Sequence, residues 1–225
     1  MKLEQTKRII IKIGSALLFN ETSGSLNKEW LNSLAEDVKY LRENDKEVII
    51  VSSGAIAMGA KDLDLDMKNM KMDMNQAVSA VGQIHLMGSF KSAFEKNEIK
   101  ISQILLTLDD TEQRRRSINA RRTIDTLLKL GIVPVVNEND TIATSEIRYG
   151  DNDRLASRVA QITSADCLIL LSNINGLYSA DPSTVEDVIL TSKVSEIDKD
   201  IEYIIGLLIT YYEYGWMTTK IQALN

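Results

Sequence analysis

The chain predicts an α/β fold, a three-layer αβα sandwich with a mainly parallel central sheet, on three observations. Short runs rich in Ile, Val and Leu recur along it, amphipathic helical patterns separate them, and polar clusters stand where strands should end. Apolar runs without alternation are how strands buried on both faces of a parallel sheet read. Strand and helix in repetition imply right-handed crossovers that cover the sheet with helices.

The elements follow in order. Residues 8–13 form the first run, and Leu31, Leu34, Ala35, Val38 and Leu41 then recur at helical spacing behind Asn27, a predicted N-cap. A second strand is predicted at 48–51, and Ala77, Ala80, Val81, Ile84, Met87 and Ala93 mark a second helix. Strands at 101–107 and 132–136 flank a helix carrying Ile118, Ile124, Leu127 and Leu128. Leu155, Val159 and Ile162 predict a helix that begins just after Asp151-Asn152-Asp153, and 167–171 is the last strand. Pro134 interrupts the fourth run and is expected to weaken its hydrogen bonding or mark an irregular edge. The methionine-rich stretch 67–74 reads as a solvated loop over the site rather than a metal ligand set.

Composition narrows the function. A chain of 225 residues fits one domain, or two lobes sharing one sheet, and can bury a sizeable core. A net charge of −6 argues against non-specific nucleic-acid binding, which needs a positive footprint. No apolar run is long enough to cross a membrane, and the N-terminus lacks a signal segment, so a cytoplasmic location is expected. The single cysteine, Cys167, sits in an apolar run and reads as core filler. His85, the single histidine, reads as helix surface or packing. The basic cluster Arg114-Arg115-Arg116 with Arg121-Arg122 reads as a solvated helix face or a subunit contact.

Four polar segments at strand ends carry chemistry. Ile11-Lys12-Ile13-Gly14-Ser15 places a lysine beside a glycine that would let backbone N–H groups approach a phosphate, although a surface lysine before a tight turn reads similarly. Ser52-Ser53-Gly54-Ala55-Ile56-Ala57 follows the second strand with small residues and a hydroxyl, Ser53, leaving room for a ligand. Asn137-Glu138-Asn139-Asp140 is longer than a turn requires, and its carboxylates and carboxamides can accept hydrogen bonds from an ammonium group. Asp151-Asn152-Asp153 could orient lysines or hold substrate, directly or through a metal's water shell. It could also cap the helix that follows. Walker, dinucleotide-binding and protein-kinase signatures are absent, as is a zinc-like Cys/His cluster.

In this order, and with Gly176-Leu177-Tyr178-Ser179-Ala180-Asp181-Pro182 as a fifth, these motifs resemble the glutamate 5-kinase branch of the amino acid kinase family, from about Lys7 to Pro182. The resemblance implies ATP-dependent phosphorylation of the L-glutamate γ-carboxylate, the first step towards proline, with Mg²⁺ accompanying ATP. It implies that Lys12 contacts the transferred phosphate and that Ser53, Asp140 and Asn152 bind L-glutamate. Asp153 would organise the catalytic lysines Lys12 and Lys220. Gly14, Ser172, Asn173, Gly215, Met217 and Thr219, with both lysines, would meet the nucleotide. A homo-oligomer and feedback by proline are further expectations. A γ-carboxylate is already ionised at neutral pH, so the transfer needs no general base, only positioning and positive charge around the phosphoryl group.

The C-terminal part departs from the family pattern. Members carry G-T-G-G-M-x-T-K, whereas this chain has Glu213-Tyr214-Gly215-Trp216-Met217-Thr218-Thr219-Lys220. Side chains then occupy positions where backbone should approach phosphate, and Glu213 adds a repelling charge. Asn173 stands where an aspartate is usual, and residues 207–212 are bulky where the pattern is small. The sequence stops at Asn225, before the last helix and strand expected of a nucleotide lobe and without an RNA-binding-like C-terminal domain. One amino acid kinase domain is therefore expected over 1–225, with a substrate lobe to about residue 165 and an incomplete nucleotide lobe from about 166. An impaired glutamate-binding protein is the alternative reading. A related kinase with another acceptor is disfavoured by the two polar clusters.

Overall fold

The computed structural model describes residues 3–20, 24–68, 70–143, 152–173, 176–179, 185, 187–191 and 193–194. Five of the apolar runs become strands of one sheet: β1 Arg8–Ile13, β2 Glu47–Val51, β3 Ile101–Leu106, β4 Val133–Glu138 and β5 Cys167–Leu171. Their order is β3-β4-β2-β1-β5, and every neighbouring pair is parallel. The helices are α1 Ser15–Leu18, α2 Lys28–Glu43, α3 Ala55–Asp62, α4 Met72–Glu95, α5 Leu108–Glu112, α6 Arg114–Lys129 and α7 Asn152–Thr163. A two-stranded antiparallel ribbon, β6 Leu177–Tyr178 with β7 Leu190–Thr191, lies outside the main sheet.

Strand alternation sorts the core into two layers. Ile9, Ile11, Ile13, Val48, Ile50, Val133 and Val135 pack against α2 and α4 through Leu34, Val38, Leu86, Phe90 and Phe94. Ile10, Ile49, Val51 and Val136 face the other way, against Ile124 of α6 and Leu155, Ala156 and Val159 of α7. The predicted three-layer αβα sandwich is therefore the architecture found. Among the described residues, no helix is long and apolar enough to cross a membrane.

Chain direction creates a crevice between two central strands. The connection leaving β2, through α3 and α4, covers one face of the sheet, whereas α7, leaving β4, covers the other. Because β2 and β4 are neighbours, their C-terminal ends open where successive connections diverge. Open α/β sheets bind ligands at such switch points. The opposite end of the sheet is closed by Arg8. Its Nε lies 2.8 Å from Glu47 Oε2 and one terminal nitrogen 2.9 Å from Asp125 Oδ1, while Asp166 Oδ2 accepts from the backbone N–H groups of Lys7 and Arg8. Those two N–H donors hold the Asp166 carboxyl below its ordinary range.

Asn27 caps α2 as expected, its Oδ1 accepting from Trp30 N at 3.1 Å. Three expectations need correction. Pro134 lies in β4, an interior strand rather than an edge. Val133 N donates to Lys100 O, just before β3, and Asn139 N to Leu106 O, so the missing N–H of residue 134 belongs to the β2 side, where pairing starts only at Val135. The fourth strand runs on to Glu138, which makes Asn137 and Glu138 buried strand residues and not the start of a turn. The methionine stretch is loop only in part, because Met72 and Met74 already belong to α4.

One contact sets how close α3 and α4 lie. A Cβ on Gly59 would meet Val78 O at 1.9 Å, and one on Gly82 would meet Ala55 O at 1.8 Å. Both obstacles are backbone, so neither can swing aside. Gly59→Ala and Gly82→Ala should each lower stability by about 1–3 kcal/mol or more, the usual penalty of overpacking. Gly88, on the same helix with open space around it, is the control. Gly88→Ala should hold or raise stability by up to about 1 kcal/mol through helix propensity. Urea unfolding midpoints of the three variants check this.

Candidate active site at the C-terminal edge of the sheet

Lys12 has the same strand parity as Ile10, so its side chain enters the layer occupied by α7. There its Nζ meets Asp153 Oδ1 at 2.5 Å, and both side chains are almost wholly buried. Aspartate in the first turn of a helix is ordinarily explained by capping and the helix dipole. Here Asp153, in the first turn of α7, also engages a lysine from the sheet.

Asn152, the preceding residue, works across the crevice. Its Nδ2 donates to Ser52 O at 2.7 Å, to Ser53 Oγ at 3.0 Å and to Asn137 Oδ1 at 3.0 Å. Asn137 Oδ1 also accepts from Glu138 N at 2.9 Å. One carboxamide thus joins the ends of β2 and β4, which are otherwise held there by Ser52 N donating to Val136 O at 2.9 Å. Two consecutive residues at the start of α7 therefore organise three strand ends.

Gly54 starts α3 with φ +101°, in the left-handed region, and a Cβ there would meet Phe19 Cε2 at 2.5 Å. Only glycine satisfies both limits, which explains the turn after Ser53. Gly14 behaves differently from expectation. Its φ of −71° suits any residue, and its N–H donates to Leu171 O at 3.0 Å. That N–H holds β5 to β1 and does not point to a phosphate. Ser172 and Asn173 follow β5 at the same end of the sheet as Lys12.

Asp140 lies in the turn after β4, buried, and its Oδ2 accepts a short hydrogen bond from Ser79 Oγ of α4. Burial pushes the Asp140 carboxyl above its ordinary value, and the Ser79 hydroxyl opposes part of that rise. Ser79 was not among the residues singled out from sequence. A hydroxyl among Ala77, Val78, Ala80 and Val81 was the available signal. His85 lies half-exposed with Nε2 3.3 Å from Asp62 Oδ2, bracing α4 against α3, in keeping with a surface role. Arg116 and Arg121 pair with Asp110 and Asp125, as on a solvated helix face.

Lys12, Ser53, Asp140, Asn152 and Asp153 thus gather at one edge of the sheet. Lys220, Gly215, Met217 and Thr219, with Asp151 and the rest of residues 213–220, lie outside the described residues. Among the described residues, no group of three or more His, Cys, Asp or Glu side chains is arranged to hold a metal ion.

A parallel αβα sandwich with a lysine–aspartate pair and a bridging asparagine at its switch point defines a class, and comparison with known proteins agrees. The amino acid kinase family model matches residues 7–223, and the chain belongs to that family. It is 56% identical over 223 residues to the glutamate 5-kinase of Pelagibacter ubique (strain HTCC1062), covering 99% of this chain and 60% of that protein. It is 51% identical over 221 residues to glutamate 5-kinase 1 of Mesorhizobium japonicum, covering 98% of this chain and 58% of the relative. The chain spans about 60% of the length of these curated relatives. A solved structure, the T. acidophilum isopentenyl phosphate kinase product complex, superposes with a TM-score of 0.61 at 15% identity, covering 93% of this chain and 88% of that one. At that identity the likeness concerns the fold.

Two outcomes follow from the site's electrostatics. Lys12→Met would leave Asp153 a buried charge without its cation, and should lower stability by about 3–5 kcal/mol. The double variant Lys12→Met/Asp153→Leu should recover part of that loss in urea unfolding. Asp140, whose folded pKa is raised, contributes no penalty while protonated in both states. A penalty sets in as pH rises through the ordinary carboxylate range and is full above the raised folded value. Asp140→Asn should therefore be more stable than the parent at pH 7, with the difference shrinking towards pH 4. Unfolding midpoints across that range check it.

Proposed function

We propose that the protein transfers the γ-phosphoryl group of ATP to the γ-carboxylate of L-glutamate, giving L-glutamyl 5-phosphate. The supporting observation is the pair Asn152–Asp153. One residue joins the strand ends that carry Ser53 and Asn137, and the next holds Lys12 at 2.5 Å. In this reading one helical turn holds both the acceptor pocket and the phosphate-side cation. The length and identity of the match to proteins named glutamate 5-kinase support the same substrate.

In this reading Asp140 accepts from the substrate ammonium, with Ser53 and Asn152 completing the acceptor pocket. A glutamate carboxylate oxygen attacks the γ-phosphorus, the new O–P bond forms, the bond to the β-γ bridging oxygen breaks, and ADP leaves. No proton has to be removed from the nucleophile. The obstacle is the approach of two anions, and Lys12 meets it by placing positive charge beside the transferred group. Asp153 orients that ammonium group. Lys220, Gly14, Ser172, Asn173, Gly215, Met217 and Thr219 belong to the nucleotide side of the proposal; for Gly14 this means packing that lets ATP approach rather than an N–H donated to it. Magnesium would arrive on the triphosphate, bound mainly by phosphate oxygens and water, and would supply further charge neutralisation.

The proposal also includes a single domain, with a substrate lobe to about residue 165 and a nucleotide lobe beyond it, sharing one sheet through β1 and β5. A homo-oligomer, feedback by proline and a cytoplasmic location accompany it.

Isothermal titration and ADP release test the reading. L-glutamate should bind, and Asp140→Ala should weaken binding by about 1–3 kcal/mol, the usual loss of a charged hydrogen-bond partner. With Mg-ATP, ADP should appear only when L-glutamate is present, and hydroxylamine should trap the acyl phosphate. Lys12→Ala should lower kcat far more than it raises the glutamate KM. Failure of L-glutamate to bind would overturn the acceptor assignment, and unchanged kcat in Lys12→Ala would remove that lysine from the transfer.

A further inference from the structure

The α4 helix approaches the turn after β4 with two polar side chains one helical turn apart. Ser79 Oγ donates to Asp140 Oδ2, and Gln76 Nε2 donates to Ala143 O at 3.0 Å. Residues three apart share a helix face, so both bonds come from one stripe of α4. The same turn is closed internally by Ile142 N and Ala143 N, each donating to Asn139 O at 3.1 Å. Ser79 is about 1% exposed and Asp140 about 8%, so water competes poorly for this contact. The α4 helix also packs closely on α3, where Gly59 and Gly82 leave no room for a Cβ.

We propose that Ser79 is a positioning residue for the acceptor pocket, fixing the rotamer of Asp140 so that Oδ2 faces α4 and Oδ1 faces the substrate ammonium. This inference rests on the proposed glutamate reading. A carboxylate on a two-bond side chain can otherwise turn either oxygen inward, and ordering it on binding would reduce affinity. Gln76 holds the backbone of the turn while Ser79 holds the side chain. A hydroxyl donor also favours the ionised form of Asp140 over the protonated form, in opposition to burial. The charge that an ammonium group requires is thus kept to lower pH. The titratable side chains around this turn are Asp73 and His85 in the first four turns of α4, the latter paired with Asp62 Oδ2, and the buried Glu138 at the end of β4.

Ser79→Ala removes the donor without adding bulk to a helix that accepts alanine. Titration of L-glutamate into the full chain between pH 5 and 8 should show affinity at pH 7 weakened roughly 10- to 150-fold, the range for a hydrogen bond to a charged group. The acidic fall in affinity should move to higher pH, because Asp140 loses the bond that favours its ionised form. Adding Ser79→Ala to Asp140→Asn should change affinity little, since the two substitutions act through one contact. Equal affinity in Ser79→Ala and the parent would overturn the proposal. So would weakening by the same factor at every pH, which would mean general support of the helix. Absence of L-glutamate binding by the parent chain would overturn the proposed function, and this inference with it. Binding by the parent that Ser79→Ala leaves intact overturns the inference alone.

Discussion

The site depends on a buried ion pair, Lys12 with Asp153, that joins the middle of the sheet to the first turn of α7. Two charges removed from water repay their desolvation only when the geometry is close and neither is left alone. The pair therefore fixes where α7 begins. That start in turn places Asn152 over the ends of β2 and β4, where its carboxamide is shared among Ser52, Ser53 and Asn137. Lys12 and the ends of β2 and β4 are consequently held by adjacent residues. Displacement of one displaces the other.

A second constraint comes from glycine. Gly59 and Gly82 let α3 and α4 touch through backbone, and Gly54 lets α3 leave β2 in a conformation other residues resist. The α3–α4 pair is thereby a stiff unit carrying the loop after β2 at one end and Ser79 at its side. Asp140 is approached from the sheet by its own strand and from the helix layer by Ser79. Burying a carboxylate in this way opposes stability at neutral pH and favours recognition of a cation. Functional sites commonly hold that balance.

The two ends of the sheet divide the work. At the N-terminal ends, Arg8 with Glu47 and Asp125, and Asp166 with two backbone donors, tie four elements together. At the C-terminal ends the polar groups face a crevice opened by diverging connections. Open α/β sheets bind ligands at such an end, where connections diverge from the C-terminal ends of the strands.

The sequence by itself determined the layered α/β class, the five strands, the Asn27 cap and the polar segments that meet at the C-terminal end of the sheet. Each rests on local pattern: apolar runs for strands, helical spacing for helices, and polar residues at run ends. It could not show that Pro134 sits inside the sheet, because strand order depends on pairings between segments far apart. It could not show that the Gly14 N–H bonds Leu171 O of β5, since a glycine's local signal does not reveal its partner. Lys12 and Asp153 were both legible as site residues, yet their 2.5 Å contact follows from strand parity and the start of α7. Ser79 was invisible for the same reason. A serine in an apolar helix becomes a partner of Asp140 only when α4 packs beside the turn after β4, and that approach is decided by the tertiary structure.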